Sequence, residues 1–386
     1  MNNKTQQVNQ IKLIKTNILD FFVSKFSSDP LKVITTPAYS YRGDKNYDLF
    51  GLLDAFLTMY ILDSDDRLLS QIDYVDWFNK ILEFQNDGHF FIAEEGTFHV
   101  KEHVTAYAVA ILKLISTKNE HCLFLFDNLN IPQQYINLIK RSNDFKKWIT
   151  LMGLELPRFN FKKSLVYNLK YNSKRLGWHN IWPGSHVGGG VPAVIGMLRE
   201  SLVKRNVVDD KELVQFFDNY IQCLDERCSN KYGIWKRGIF DLFYPFLSYR
   251  DIGGAAHFLW IYDYLGYRYR FPEKIIKSCL KFQGSNGLVK KHPFCIDFDF
   301  TYLLNHSMEQ INDDYESIGR VDNYMYKNYL AIIQFYSNKS NFQLLHDTHS
   351  IPGALASLVE IEKYFIRRSI FDKLQFNDPF KHICWL

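Results

Sequence analysis

The chain has 386 residues, of which 47% are hydrophobic and 23% charged, values that exclude long disordered stretches. Its 46 Lys and Arg residues balance 42 Asp and Glu residues to a net charge of +4, too even over this length for a nucleic-acid binder. The six cysteines form no CxxC pair, which excludes zinc-finger spacing and a disulfide framework, and no apolar run is long enough to span a membrane. Aromatic residues make up 16% of the chain, enough either to pack a heavy core or to line a large cavity with rings. The stretch Met1 to Asn17 is polar and lacks the apolar segment of a signal peptide, so the expectation is a reduced, cytoplasmic protein.

Taken in chain order, the elements are almost all helical. Residues 1–40 predict an N-terminal helical segment that joins an outer layer, and no Pro/Gly/Ser-rich linker divides residues 41–386. Apolar helices are predicted at Leu49 to Leu62, Val104 to Ile115, Val191 to Leu198, Gly253 to Leu265, Phe300 to Met308, Ala331 to Tyr336 and Gly353 to Phe365. More polar helices lie between them, as at Asp73 to Phe84, Lys211 to Leu224 and Glu273 to Phe282. The apolar helices start near Asp48, His103, His186, Asp251, Asp299 and His349, on average about 60 residues apart, the length of two helices and their connections. Six such hairpins predict an all-α fold: one (α/α)6 toroid over 41–386, apolar helices inside and polar helices outside. The inner helix N-termini, with their unpaired N–H groups and partial positive charge, then converge at one end.

Two segments repeat a pattern of outer helix, Gln, short turn with Gly, and apolar residue. They run from Trp77 through Gln85 and Gly88 to Phe90, and from Ile275 through Gln283 and Gly287 to Leu288. A third, weaker copy ends at Tyr232-Gly233-Ile234-Trp235. These resemble the Gln–Gly–Trp-type repeats of the terpenoid cyclase and protein prenyltransferase α/α toroids, although the first two copies lack the Trp. Ile296-Asp297-Phe298-Asp299-Phe300-Thr301 is similar to the Asp-x-Asp-Asp-Thr-Ala segment of class II terpene cyclases. The resemblance implies Asp299 as proton donor, with Phe300 standing where those enzymes have a further Asp. The same segment, with Asp347-Thr348-His349, also resembles the zinc ligands of prenyltransferase β subunits, with Asp299 in place of the Cys. No cofactor is expected; zinc or magnesium has no clear ligand motif, and Asp297, Asp299 and His349 are where a zinc would sit.

The residues themselves point to acid–base chemistry. Asp297 and Asp299, two apart at a helix start, are placed to share a proton, which raises one pKa until the group is an acid. His103, His186 and His349 recur at helix starts, where His is a poor cap, and join Asp48, Asp251 and Asp299 as candidate acids and bases. As N-caps, the same Asp residues have a purely structural role. Trp178-His179-Asn180-Ile181-Trp182 leads into the Gly-rich stretch 184–190, a loop that offers ring platforms and an anion cradle. Trp235 is a third platform, and Tyr249 and Arg250 lie beside the same mouth. The first expectation is a terpenoid-cyclase-like enzyme, with acid-initiated cyclisation or isomerisation of an isoprenoid in an aromatic cavity. The alternative is a carbohydrate-active (α/α)6 enzyme, a glycoside hydrolase, epimerase or polysaccharide lyase; a non-catalytic toroid binding module is the third. The partner is a small molecule or a glycan; no nucleic acid and no membrane span are expected, and the oligomeric state is left open.

Overall fold

The computed structural model describes residues 2–26, 48–63, 69–91, 100–151, 181–235, 247–311, 315–345 and 347–386. Among them the fold is all-helical apart from one two-stranded hairpin. In chain order come α1 (Asn2–Phe26), α2 (Leu49–Leu62), α3 (Tyr74–Leu82), β1 (Gln85–Asn86) and β2 (His89–Phe90). Then follow α4 (Lys101–Ser116), α5 (Glu120–Asp127), α6 (Gln133–Lys140), α7 (Ser142–Leu151), α8 (Ile181–Met197), α9 (Arg199–Lys204) and α10 (Asp210–Arg227). The last are α11 (Tyr249–Tyr264), α12 (Pro272–Cys279), α13 (Cys295–Glu309), α14 (Tyr315–Ser337) and α15 (Ser350–Arg367). No described helix is long and apolar enough to cross a membrane.

The chain divides into two compact units. One comprises Met1–Glu83 and Cys279–Lys381; the other comprises Phe84–Ser278 and His382–Leu386. In the first, α15 packs between α13 and α2; in the second, α8 packs between α4 and α11. These are the apolar helices of the sequence, and they are buried almost all round: every residue of α2 is buried, as is every residue of α11 from Asp251 to Tyr262. Helices buried on all sides need no amphipathic stripe, which explains their uniform hydrophobicity. The outer helices do have a stripe: α10 buries Leu213, Phe216, Phe217, Tyr220, Ile221 and Leu224 at helical spacing and starts with an Asp209–Glu212 capping box.

The repeated turns share one backbone device. Gly88, Gly233 and Gly287 all have φ between 75° and 86°, a conformation that side chains disfavour. Each also lies against other backbone: a Cβ would come within 2.5 Å of Ile131 at Gly88 and of Lys327 at Gly287, and within 2.8 Å of Phe271 at Gly233. The turn residue is thus fixed by torsion and by space, and the apolar residue after it (Phe90, Ile234, Leu288) is buried. Gln283 closes its turn by donating to the carbonyls of Gly287 and Tyr324, at 3.2 and 2.8 Å.

Several helices begin earlier than the sequence predicts, among them α14 at Tyr315 rather than Ala331, and two of these bear on the candidate sites. α8 starts at Ile181 rather than Val191, so the stretch from Trp182 to Gly190 is helix, not loop. Its interior Pro192 has no N–H, which strands the carbonyl of Gly188 one turn back. The Tyr220 hydroxyl donates to that carbonyl at 2.8 Å, a local repair that lets a Gly- and Pro-rich segment stay helical. α13 starts at Cys295 rather than Phe300, which brings Asp297 and Asp299 into its first two turns.

Candidate active site

The N-terminal ends of α2, α13 and α15 gather the polar core of the first unit. His349 precedes α15, and its Nδ1 lies 2.8 Å from Asp54 Oδ1 on α2. The neighbouring Thr348 hydroxyl donates to the other Asp54 oxygen, also at 2.8 Å. Both partners are buried, so the pair is shielded from solvent screening. His349 also lies within interaction range of the thiol of Cys295, the first residue of α13. Cys295, His349 and Asp54 therefore form a chain of thiol, imidazole and carboxylate, with the thiol at a helix N-terminus.

Gly353 is what permits this approach. A Cβ on Gly353 would lie 2.6 Å from the Cys295 Cα and 3.0 Å from its Cβ. Any larger residue would push α15, and His349 with it, away from the start of α13.

The electrostatics follow from the geometry. Burial by itself would favour neutral His349, but the Asp54 carboxylate and the Cys295 contact override it and hold the imidazole pKa well above the usual histidine value. Burial pushes the Cys295 thiol up, while the bond to His349 and its positive charge pull it down; the net remains above the ordinary thiol. His349 is thus an imidazolium at neutral pH, poised to give a proton rather than to take one. Cys295 is half-buried, whereas Cys279 of the same unit is fully buried.

Asp299 lies one turn beyond Cys295 on α13, within electrostatic reach of both Cys295 and His349. Burial, reinforced by the charge of Asp297, raises its pKa well above the usual carboxylate value, so it carries a proton. Asp297 has a different role. Its carboxylate accepts from the N–H groups of Phe294 and Val289, at 3.1 and 2.9 Å, and from the Asn328 amide at 3.2 Å. Burial raises it to about 6, but its oxygens are taken in capping α13 and anchoring the preceding turn. Both Asp297 oxygens thus accept hydrogen bonds, while its charge helps to raise the Asp299 pKa. Among the described residues no group of three His, Cys, Asp or Glu side chains is arranged to hold a metal ion.

Other sequence-derived candidates divide by unit. Asp48 caps α2 through the Gly51 N–H at 2.7 Å. Asp251 caps α11, accepting from the Ser248 N–H and hydroxyl at 2.8 and 2.9 Å. Both thus serve as helix caps. His103 and His186 do come together in the second unit, with rings stacked at 4.4 Å, and His257 joins them at 5.0 Å from His186. The Trp385 indole N–H donates to His103 Nδ1 at 3.0 Å, which puts the proton of a neutral His103 on Nε2. Ser185 Oγ is 2.7 Å from His257 Nδ1. Trp182 meets this cluster edge-on at 6.2 Å from His257. Trp235 is buried, and its indole donates to the Leu224 carbonyl at 2.8 Å. Arg250 leans over the Tyr249 ring at 5.9 Å. Trp178 lies outside the described residues.

The sequence reading included His349 and Asp299 but missed Cys295 and Asp54. One signal for Asp54 was available: it is the single ionisable residue inside the apolar run from Leu49 to Leu62, and a carboxylate there requires a polar partner. No known protein family, curated protein or solved structure matches the chain.

Proposed function

We propose that the chain is an enzyme that uses Cys295 as a nucleophile towards an activated carbonyl, an acyl-transfer or hydrolysis reaction. The carrying observation is the buried chain Asp54–His349–Cys295. Asp54 orients His349 and keeps it cationic; His349 favours the thiolate and is the acid for the leaving group. The fraction of Cys295 that has given its proton to solvent attacks the carbonyl carbon as thiolate, the carbon–leaving-group bond breaks, and the leaving group takes the His349 proton. Water then attacks the thioester, gives its proton back to His349, and releases the acid. The first-turn N–H groups of α13, which have no intrahelical acceptors, suit the developing oxyanion.

The test is acylation by p-nitrophenyl acetate, read as a burst of p-nitrophenolate and as an acetyl group located by peptide mass spectrometry. Acetyl-Cys295, absent in Cys295→Ala and slowed in His349→Gln and Asp54→Asn, is the expected result. Acylation spread over other cysteines, indifferent to His349 and Asp54, would refute it.

Acid-initiated cyclisation of an isoprenoid by Asp299 is the second reading, favoured by the protonated state of that buried carboxyl. Activity on prenyl substrates lost in Asp299→Asn and kept in Cys295→Ala would select it. A six-hairpin toroid belongs to the same proposal. Its supports are the repeated Gly turns and, within each unit, a run of three adjacent apolar helices.

A further inference from the structure

A cavity of about 320 Å³ in the second unit is unconnected with the Cys295 chemistry. It lies between the first turns of α4, the middle of α8, and helices α6 and α7. Leu138, Val187 and Val191 give it an aliphatic side. Glu102, Gln134, Tyr135, Asn137 and Trp148 supply polar atoms around it. Asp144, which lies 4.0 Å from Arg141, and Lys147 also line it and carry opposite charges. Gly190 builds one wall: a Cβ there would lie 2.7 Å from the Glu102 carbonyl, so α4 and α8 meet closely at this point.

Several of the polar groups are oriented by their neighbours. Burial, then the charge of Lys101, lowers the His89 pKa to about 4, so its ring is uncharged. Its Nε2 lies 2.6 Å from the Gln134 amide nitrogen and accepts from it; its Nδ1–H faces the Tyr135 oxygen at 3.5 Å. That arrangement leaves the Gln134 amide oxygen as an acceptor and the Tyr135 hydroxyl proton as a donor. Burial also favours the protonated form of Glu102, against the pull of its own backbone N–H and of Lys101. The decisive group is Trp148. It is 6% exposed, and its indole N–H has no acceptor among the described residues. A buried donor without an acceptor is costly, and a ligand oxygen would remove that cost.

We propose that this cavity binds an uncharged polyhydroxylated ring, a single monosaccharide unit, with its C–H face on the aliphatic side and a hydroxyl oxygen accepting from Trp148. The lining mixes both signs of charge and so favours no one sign of ligand, and the volume is at the small end of ligand pockets, the size for one ring.

The full chain would be titrated by calorimetry with a panel of methyl glycosides (gluco, manno, galacto and N-acetylglucosamine forms). Binding of at least one below ~10 mM is expected. Trp148→Phe keeps the ring and removes the N–H, and should weaken that binding about 5- to 30-fold; Gln134→Leu should weaken it similarly. A panel without a binder, or a binder unaffected by both substitutions, overturns the proposal, as does a nucleobase that binds where glycosides do not. Cys295→Ala should bind the glycoside unchanged, so this result and that of the acylation test are independent.

Discussion

Gly353→Ala is a substitution far smaller than its expected effect. The added methyl would meet Cys295 Cα at 2.6 Å, against an ordinary contact of 3.4 Å or more, so α15 must recede from α13 by nearly 1 Å. Overpacking of this kind costs about 1–3 kcal/mol of stability. The same displacement breaks the thiol–imidazole contact, since His349 immediately precedes α15 and Cys295 opens α13. A hydrogen bond to a charged group is worth about 1.5–3 kcal/mol, and its loss from the thiolate form raises the Cys295 pKa further. At pH 7.5 the thiolate fraction then falls by about 10- to 100-fold. A more basic thiolate is also more nucleophilic, which returns nearly half of that change on a logarithmic scale and leaves a net loss of about 3- to 10-fold. The assay is iodoacetamide labelling resolved peptide by peptide, with chemical denaturation measured alongside. Slower labelling of Cys295 alone is the expected result, with Cys223 and Cys228 unchanged. Destabilisation with an unaltered Cys295 rate would show that His349 does not govern the thiol.

Three further outcomes follow. Cys295 labelling in the unaltered chain should climb with pH past 9 instead of levelling off near 7, because burial outweighs His349 in setting the thiol; a plateau below 7 would contradict this. Glu362 is buried and its pKa is raised to about 8, its desolvation only partly offset by the Gln375 N–H. A carboxyl raised in the folded state gives a stability present below the unfolded value and lost as pH climbs towards the folded one. Stability should therefore fall between about pH 4.5 and 8 by several kcal/mol at most, and Glu362→Gln should flatten that slope; an unchanged slope would place the proton elsewhere. Tyr220→Phe leaves the Gly188 carbonyl, already deprived of its helical partner by Pro192, without its donor, and should cost about 1–3 kcal/mol in denaturant unfolding. A loss below about 0.5 kcal/mol would mean that α8 repairs itself another way.

The parts of the fold legible in the sequence were those set by local rules. The α2 helix occupies the predicted Leu49 to Leu62 because a fully apolar run with an Asp cap has few other solutions. The repeat turns were visible because only Gly satisfies both their torsion and their close packing. What misled was composition: Gly188, Gly189 and Gly190 read as loop, yet they lie inside α8, where missing side chains admit neighbouring backbone and Tyr220 replaces the hydrogen bond lost to Pro192. The same bias set the start of α13 five residues late, at Phe300, and so left Cys295 in an apparent connection.

The candidate site itself could not be read by spacing at all. Asp54, Cys295 and His349 belong to three helices separated by 241 and 54 positions in the chain, and only the packing of α15 between α2 and α13 joins them. Each has a bland reading alone: a stray acid in a core helix, a half-buried thiol, a histidine before a helix. Their meeting changes the argument, because each answers a cost raised by another. The buried Asp54 needs a cation and takes His349; the cationic His349 needs a second acceptor and takes the thiol; the thiol sits where the start of α13 favours negative charge. A purely structural arrangement would be served as well by Asn at 54 and Gln at 349, which keep hydrogen bonds and bury no charge. Double substitution Asp54→Asn with His349→Gln distinguishes the two cases. If it leaves folding nearly intact and abolishes the selective reactivity of Cys295, the charges are there for chemistry. If it unfolds the first unit while Cys295 reactivity in the folded fraction is unchanged, they are there for the core.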